Sequence, residues 1–404
     1  MSGTLIDTHT RIARLSFRLQ VGLAFLIFIL IGANDGAGGV LIPSMGIHYS
    51  INKSTVSLTF FFSTIGYLLA SLNSGVLIRR LGTRRFLWLG AIIFMLSLFM
   101  LSLTPPFLLF ACCLLPLGFG VSMLDIGLNA YVASLPRSTV LLNYLHAFYG
   151  CGALLGPLVA SSFLALQLPW NGVYLVWAIF CLLILLGIIA IFKNQPASPQ
   201  EHPEDVGKNL LWSILKLRLT WIFAFFLFCY VGLEIVVGTW IYSFLTEQRH
   251  VFTLYAGWMA SGYWLGLAVG RLVLGSFAQR IGEKRAIQLC VIGVMIGLAL
   301  VWLLPIDTMA AFGLFLTGFC LGPIFPTAIA LTSQVVSSNR LATSIGFEVS
   351  MGCVGGAFLP WIAGNMAQFF GLWSILPYTI FLALCLLSLW LILQSWLHKD
   401  HALA

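Results

Sequence analysis

Charge is what this sequence has least of. Asp, Glu, Lys and Arg together make up 8% of the 404 residues, where a soluble domain carries about 25%. The deficit excludes a water-facing surface over most of the chain, and with it soluble enzymes, nucleic-acid modules and disordered scaffolds. Long polar stretches are equally scarce, and the one substantial break is 193–218 (KNQPASPQEHPEDVGK at its start). Loop cysteines are missing too. All nine (Cys112, Cys113, Cys151, Cys181, Cys229, Cys290, Cys320, Cys353, Cys385) fall in apolar runs, so they read as small packing residues. Neither a disulfide frame, a metal site nor any cofactor is expected from them.

What is present is apolar surface: 60% hydrophobic residues and 39 glycines, the latter common where membrane helices touch. Apolar runs near 20–43, 55–78, 85–103, 106–134, 144–166 and 171–192 precede the polar break; others near 219–245, 254–279, 284–304, 308–336, 342–369 and 374–396 follow it. Each is about the 20 residues a helix needs to cross a bilayer. The pattern predicts an all-α integral membrane protein of twelve transmembrane helices. It divides into an N-terminal six-helix bundle (1–192), a linker (193–218) too short to be a domain, and a C-terminal six-helix bundle (219–404). The basic head (Arg11, Arg14, Arg18) runs into the first span with no small-residue cleavage site, so no cleavable signal peptide is expected.

Basic residues set the orientation, because Lys and Arg accumulate in short cytoplasmic loops. Of the 20, the termini, the linker and the even-to-odd loops take 17; Lys53 and Arg249 fall on the opposite side and Arg271 inside a span. Both termini are thus expected to be cytoplasmic in a multi-pass inner cell membrane protein. The net charge of +8 is then an insertion signal, and nucleic acid is not an expected partner.

Comparison of the chain with itself at an offset near 200 reveals a repeat. Gly75-Val-Leu-Ile-Arg-Arg-Leu-Gly-Thr-Arg-Arg85 matches Gly275-Ser-Phe-Ala-Gln-Arg-Ile-Gly-Glu-Lys-Arg285, and Gly152-Ala-Leu-Leu-Gly156 matches Gly352-Cys-Val-Gly-Gly356. Asp35 and Gly39 align with Glu234 and Gly238. Repeated halves are what alternating-access transporters use.

The two G-x-x-x-x-R-x-G-x-[RK]-R loops resemble the signature of the major facilitator superfamily. Leu124-Asp-Ile-Gly-Leu-Asn-Ala-Tyr-Val132, Leu142-Asn143 with His146 and Gly150-Cys-Gly-Ala153, Tyr230-Val-Gly-Leu-Glu234 and Gly322-Pro-Ile-Phe-Pro-Thr327 resemble its fucose and glucose/mannose proton symporter branch. The resemblance covers nearly the whole chain. It implies a secondary transporter with Asp125 at the place of the proton-linked acid. Two departures stand out: Arg79 and Gln279 occupy the places where the loop often has an acid, and Asp125, His146 and Tyr149 replace a Glu and amides of the fucose pattern.

Four of the twelve acids lie deep in spans: Asp35, Asp125, Glu234 and Glu348. A charge in hydrocarbon is costly, so each is expected to face the protein interior or a wet cavity. Asp125, with Asn129 one turn on, Asp35 behind its glycines, and His146, the only span histidine, are the candidates for proton coupling. Candidate substrate ligands are Asp35, Asn129, Asn143, His146, Tyr149, Glu234, Trp240, Tyr263, Phe325 and Glu348, carboxylates and amides to bind hydroxyls and rings to stack on a sugar face. Packing readings stand beside these. Asp35 could bond Asn34, Glu234 could pair with Arg271, and Trp264 and Trp361 are two more interior-leaning aromatics. Arg79, Arg80, Arg84, Arg85, Arg271 and Arg280 are candidate gate residues, and the GxxxG pairs read as close helix contacts.

The sequence reading is a monomeric, proton-coupled symporter of a monosaccharide or similar small polyhydroxylated solute, with protons and membrane lipid as its other partners. The competing reading is a proton-antiporting exporter of amphipathic or cationic compounds, supported by Gly150, Gly152, Gly156 and Pro157 in the fifth span. A membrane enzyme is not expected, because one span histidine without clustered cysteines offers neither a nucleophile-base pair nor metal ligands.

Overall fold

The computed structural model describes the backbone of residues 2–136, 138–192 and 208–401; side chains are described except within 2–16, 208–211, 274–281 and 397–401 and at 139, 338, 339 and 342. In the bilayer core no water can bond a free N–H or C=O, so helices that satisfy their own backbone are the natural product of these apolar runs. The described residues form fourteen α-helices: α1 (Ser2–Tyr49), α2 (Lys53–Ser57), α3 (Thr59–Ser102), α4 (Phe107–Ala133), α5 (Ser138–Ala165), α6 (Gly172–Ile191), α7 (Lys208–Leu215), α8 (Arg218–Ser243), α9 (Thr253–Ile281), α10 (Glu283–Leu303), α11 (Asp307–Leu321), α12 (Ile324–Val335), α13 (Ser338–Phe369) and α14 (Ile375–His401).

Several boundaries differ from those read from the sequence. The first span runs past Pro43 to Tyr49. The expected loop at 79–84 is helical apart from Gly82, at φ 75° and ψ 157°. A straight helix of the 44 residues in α3 would measure about 66 Å, twice the hydrocarbon core, so the break at Gly82 makes it two crossings. Gly282, its mate in the repeat, also has positive φ (87°) and separates α9 from α10. Only glycine adopts that conformation without a side-chain clash, which explains the glycine in both loop motifs. The expected span 308–336 is two helices, because Gly322 and Pro323 interrupt it and Pro323 has no N–H to donate. The end of the linker forms α7, while 193–207 lies outside the described residues.

Packing gathers the chain into two compact units. One contains Met1–Asp35, Phe62–Ala153 and Pro169–Gln200; the other contains Gly36–Phe61, Leu154–Leu168 and Glu201–Ala404. Boundaries between these units fall within α1, α3 and α5.

In the first unit, helices touch backbone to backbone at glycines. A Cβ on Gly32 would strike the Tyr149 carbonyl and one on Gly152 the Ile29 carbonyl, so α1 and α5 cross where neither has a side chain. Gly66 against Leu115 and Gly118 against Ser63 do the same for α3 and α4. The second unit repeats that crossing at an offset of 200: Gly266 meets Phe315 and Gly318 meets Tyr263, between α9 and α11.

The second unit also takes in α2 and the ends of α1 and α5. Asn52 caps α2 by accepting from the Thr55 N–H. Lys53 Nζ lies 2.7 Å from Glu247 Oε2, its N–H donates to Gln368 Oε1 at 3.0 Å, and Ser261 Oγ donates to the Leu154 carbonyl at 2.9 Å. Arg249 donates to the Val301 and Leu304 carbonyls at the end of α10 and lies 5.5 Å from the Phe244 ring centroid. Partial burial holds its guanidinium below the usual arginine value, with Asp307 opposing the shift. All nine cysteines are free.

Candidate functional site

The first unit collects polar side chains from four helices. The Gly32 and Gly152 crossing sets α1 and α5 close enough for Tyr149 Oη to donate to Asp35 Oδ2 at 3.0 Å, and Asn34 Nδ2 donates to Asp35 Oδ1 at 3.3 Å. Asp35 is exposed although it lies well inside the Phe17–Tyr49 span, and a carboxylate at that depth is costly unless it faces a water-filled cavity. The Gly66 and Gly118 crossing does the equivalent on α3 and α4. Tyr67 Oη donates to Asp125 Oδ2 at 2.7 Å, and Asn129 Nδ2 donates to Asp125 Oδ1 at 2.8 Å. Asp125 interacts electrostatically with both Asp35 and His146, whose ring packs edge-on against Phe28 at 5.7 Å. Asp35, Tyr149, Asp125, Asn129 and His146 thus form one constellation, and Asn143 is exposed one turn before His146.

Each carboxylate of the pair is held by a tyrosine hydroxyl and an amide, and the two donors differ chemically. An amide N–H can only donate, whereas a phenol hydroxyl can turn and accept. A proton arriving on Asp125 Oδ2 therefore leaves Asn129 in place and needs only Tyr67 to reverse its bond. Asp35, which is exposed, has lone pairs left for solute hydroxyls.

The second unit holds the other two span acids apart from each other's hydrogen-bond networks. Glu234, 8% exposed, lies 3.5 Å from Arg271 Nη2, and Tyr263 Oη donates to the Glu234 carbonyl at 2.9 Å. The pairing of Glu234 with Arg271, raised as an alternative to solute binding, is the arrangement seen. Tyr230 Oη donates to the Leu321 carbonyl beside the Gly322–Pro323 break, and its ring lies 6.0 Å from Phe325. Glu348 is buried at 1% exposure and accepts from Thr332 Oγ1 at 2.8 Å.

Some candidates are occupied with packing. Trp240 is fully buried, donates its indole N–H to the Pro360 carbonyl at 3.0 Å and lies over Gly364. Tyr263 is fully buried as well, with its hydroxyl engaged as above. Trp264 is 4% exposed against Gly238, and Trp361 meets Phe61 edge-on at 5.8 Å. Of the candidate gate residues, Arg84 donates to the Ile189 carbonyl at 2.6 Å, Arg79, Arg80 and Arg85 are exposed, and the Arg280 side chain lies outside the described residues. Tyr67 and Thr332 were missed from the sequence. The available signal for Tyr67 was its place next to Gly66, whose repeat mate Gly266 marks a close helix crossing.

Residues 23–255 and 241–402 match the Major Facilitator Superfamily. The chain is 29% identical over 390 residues to Bypass of stop codon protein 6 of Saccharomyces cerevisiae, covering 88% of this chain and 78% of that protein. It is 24% identical over 374 residues to the glucose/mannose transporter GlcP of Bacillus subtilis, covering 90% and 89%. Among solved structures, a D-xylose-proton symporter superposes with a TM-score of 0.72 at 15% identity, covering 93% of this chain and 97% of that one.

Proposed function

Since the chain belongs to the Major Facilitator Superfamily and is a multi-pass membrane transporter rather than an enzyme, its task is to carry a small solute across a membrane, and we propose that it is a proton-coupled symporter of a monosaccharide or similar polyhydroxylated solute. The observation that carries this reading is the pair of carboxylates, Asp35 and Asp125, each gripped by a tyrosine hydroxyl and an amide within one unit. Asp35 receives the solute's hydroxyl groups with Tyr149, and His146 and Asn143 line the approach. Asp125 takes the proton at Oδ2 as Tyr67 reverses its bond. Two carboxylates in mutual range cannot both stay ionised at low cost, so protonation of one favours an anionic, hydroxyl-accepting state of the other. The names of the Bacillus subtilis relative and of the xylose symporter support a sugar and a proton.

In this reading the two repeat halves, 1–192 and 219–404, alternate access as a monomer in the inner cell membrane, with both termini cytoplasmic. The arginine-rich segments around Arg79 to Arg85 and Arg280 form the cytoplasmic gate. Glu234 with Arg271 and Phe325 with Tyr230 shape the C-terminal side, while Trp240 and Tyr263 hold the packing behind them. The deciding test is uptake into proteoliposomes under an imposed inward proton gradient, with labelled glucose, mannose, fucose and galactose beside a lipophilic cation. Accumulation of one sugar against its gradient is expected; expulsion of the cation with no sugar response would replace the reading by the exporter.

A further inference from the structure

Glu348 has neither the second donor that Asp35 and Asp125 have nor the cation that lies beside Glu234. Thr332 Oγ1 bonds its Oε2 at 2.8 Å, while Oε1 is buried and has no hydrogen-bond partner. One turn earlier on the same face of α13, Ser344 is also fully buried, and its hydroxyl oxygen is without a partner as well. No described basic residue stands within ion-pair distance of Glu348. An ionised carboxylate in this position would be a buried, unpaired charge, which proteins neutralise rather than keep.

We infer that Glu348, with Thr332 and Ser344, is a proton-binding site of the second unit, distinct from the Asp35 and Asp125 constellation. The proton comes from water and forms an O–H bond on Oε1; a turn of the Ser344 side chain, unpartnered as it stands, lets its Oγ accept that O–H, while Oε2 keeps the bond from Thr332. The neutral acid carries no charge for a partner to offset, which is what its burial and the lack of a described cation beside it require. Among the described side chains, the helices packed against α13 place no charge within bonding distance of Glu348; Lys208 of α7 and the end of α14 from 397 on lie outside them. α12 carries no titratable residue. On α8, Glu234 is paired with Arg271, Tyr230 bonds the Leu321 carbonyl, and Arg218, Cys229 and Tyr242 make no bond to Glu348. On α2, Lys53 is paired with Glu247, and on α14 Tyr378 bonds the Leu359 carbonyl while Cys385 makes no bond to Glu348. On α13 itself the remaining titratable groups are Arg340 and Cys353, and neither bonds Glu348.

The donor's position gives the site a way to release its proton. Thr332 lies on α12, a segment of 12 residues cut from α11 by Gly322 and Pro323. A discontinuous helix can tilt without dragging its whole span, and movement of α12 away from α13 would admit water to Glu348. This coupling role rests on the proton-symport reading above; the presence of the proton does not.

Infrared difference spectroscopy of the protein in liposomes tests the site without any solute. At neutral pH the parent is expected to show the carbonyl stretch of a protonated carboxylic acid, missing from Glu348→Gln and unchanged when sodium replaces potassium. Should Glu348→Gln not fold, Ser344→Ala serves: the acid loses its acceptor and the band moves to higher frequency. Identical spectra for parent and variants overturn the site, and collapse of the band in sodium alone reassigns it to an alkali cation. Proton uptake on adding glucose tests the role. The ratio of protons to glucose is expected to fall in Glu348→Gln while glucose counterflow persists, and an unchanged ratio overturns coupling. If the parent itself moves no protons with glucose, the sugar reading fails, and the infrared band still decides the site.

Discussion

Removal of one oxygen atom from Tyr149 separates a solute-binding Asp35 from a merely structural one. In Tyr149→Phe the ring keeps its place on α5, and the close crossing at Gly32 and Gly152 is untouched, because it is made by backbone. What disappears is the donor to Asp35 Oδ2 at 3.0 Å. A hydrogen bond to a charged group contributes about 1.5–3 kcal/mol. Asp35 is exposed, so water replaces part of the loss and the lower end of that range applies. About 1.5 kcal/mol corresponds to roughly a tenfold change in an equilibrium constant. If Tyr149 orients Asp35 toward a sugar hydroxyl, the half-saturating concentration for glucose counterflow rises about tenfold. Thermal stability in detergent stays close to that of the parent, because a solvated pair contributes little to folding. Unaltered half-saturation in a well-folded Tyr149→Phe protein would refute the assignment of Asp35 to solute, and a large loss of thermal stability would return the pair to a packing role.

The other predictions address coupling and packing. Asp125→Asn is expected to abolish accumulation driven by a proton gradient, and its pH dependence, while leaving glucose counterflow; retained uphill uptake removes Asp125 from the proton path. Gly66→Leu forces a side chain into the Leu115 carbonyl and is expected to cost about 1–3 kcal/mol or more. It should lower the melting temperature and the proton-coupled uptake together, because the crossing also places Tyr67. Gly262→Ala, whose Cβ meets nothing within 4 Å, should melt at or above the parent temperature by virtue of better helix propensity. Arg249→Gln loses charge-assisted bonds to the last carbonyls of α10, about 3 kcal/mol by order of magnitude, and lower thermal stability with unchanged half-saturation for counterflow is the expected pattern.

Much of the site could be named from the sequence because an acid inside an apolar run is conspicuous. Asp35, Asp125, Glu234 and Glu348 stand out by cost alone, and the amide at Asn129 follows from one helical turn. Partners on other helices had no such signal. Tyr67 is one aromatic among the 14% of the chain that is Phe, Trp or Tyr, and no period links it to Asp125, 58 residues away. Thr332 is as ordinary a residue, and its value to Glu348 depends on α12 being a separate segment. Trp240 shows the opposite case: a ring close to Glu234 in sequence looked suited to stacking on a solute, yet its indole is buried against the Pro360 carbonyl.

By itself the sequence determined which segments cross the membrane, because the bilayer acts on local composition: a run of about 20 apolar residues has no stable alternative to a helix there. It also determined the repeat, down to Gly82 and Gly282, because positive φ combined with extended ψ (157° and 133°) is a conformation left to glycine. The tertiary structure alone decided which helices cross at Gly32 with Gly152 and Gly66 with Gly118, and hence which hydroxyl meets which carboxylate. It also decided that 36–61 and 154–168 pack with the C-terminal segments. Those choices depend on backbone contact between residues distant in the chain, which composition and periodicity do not encode.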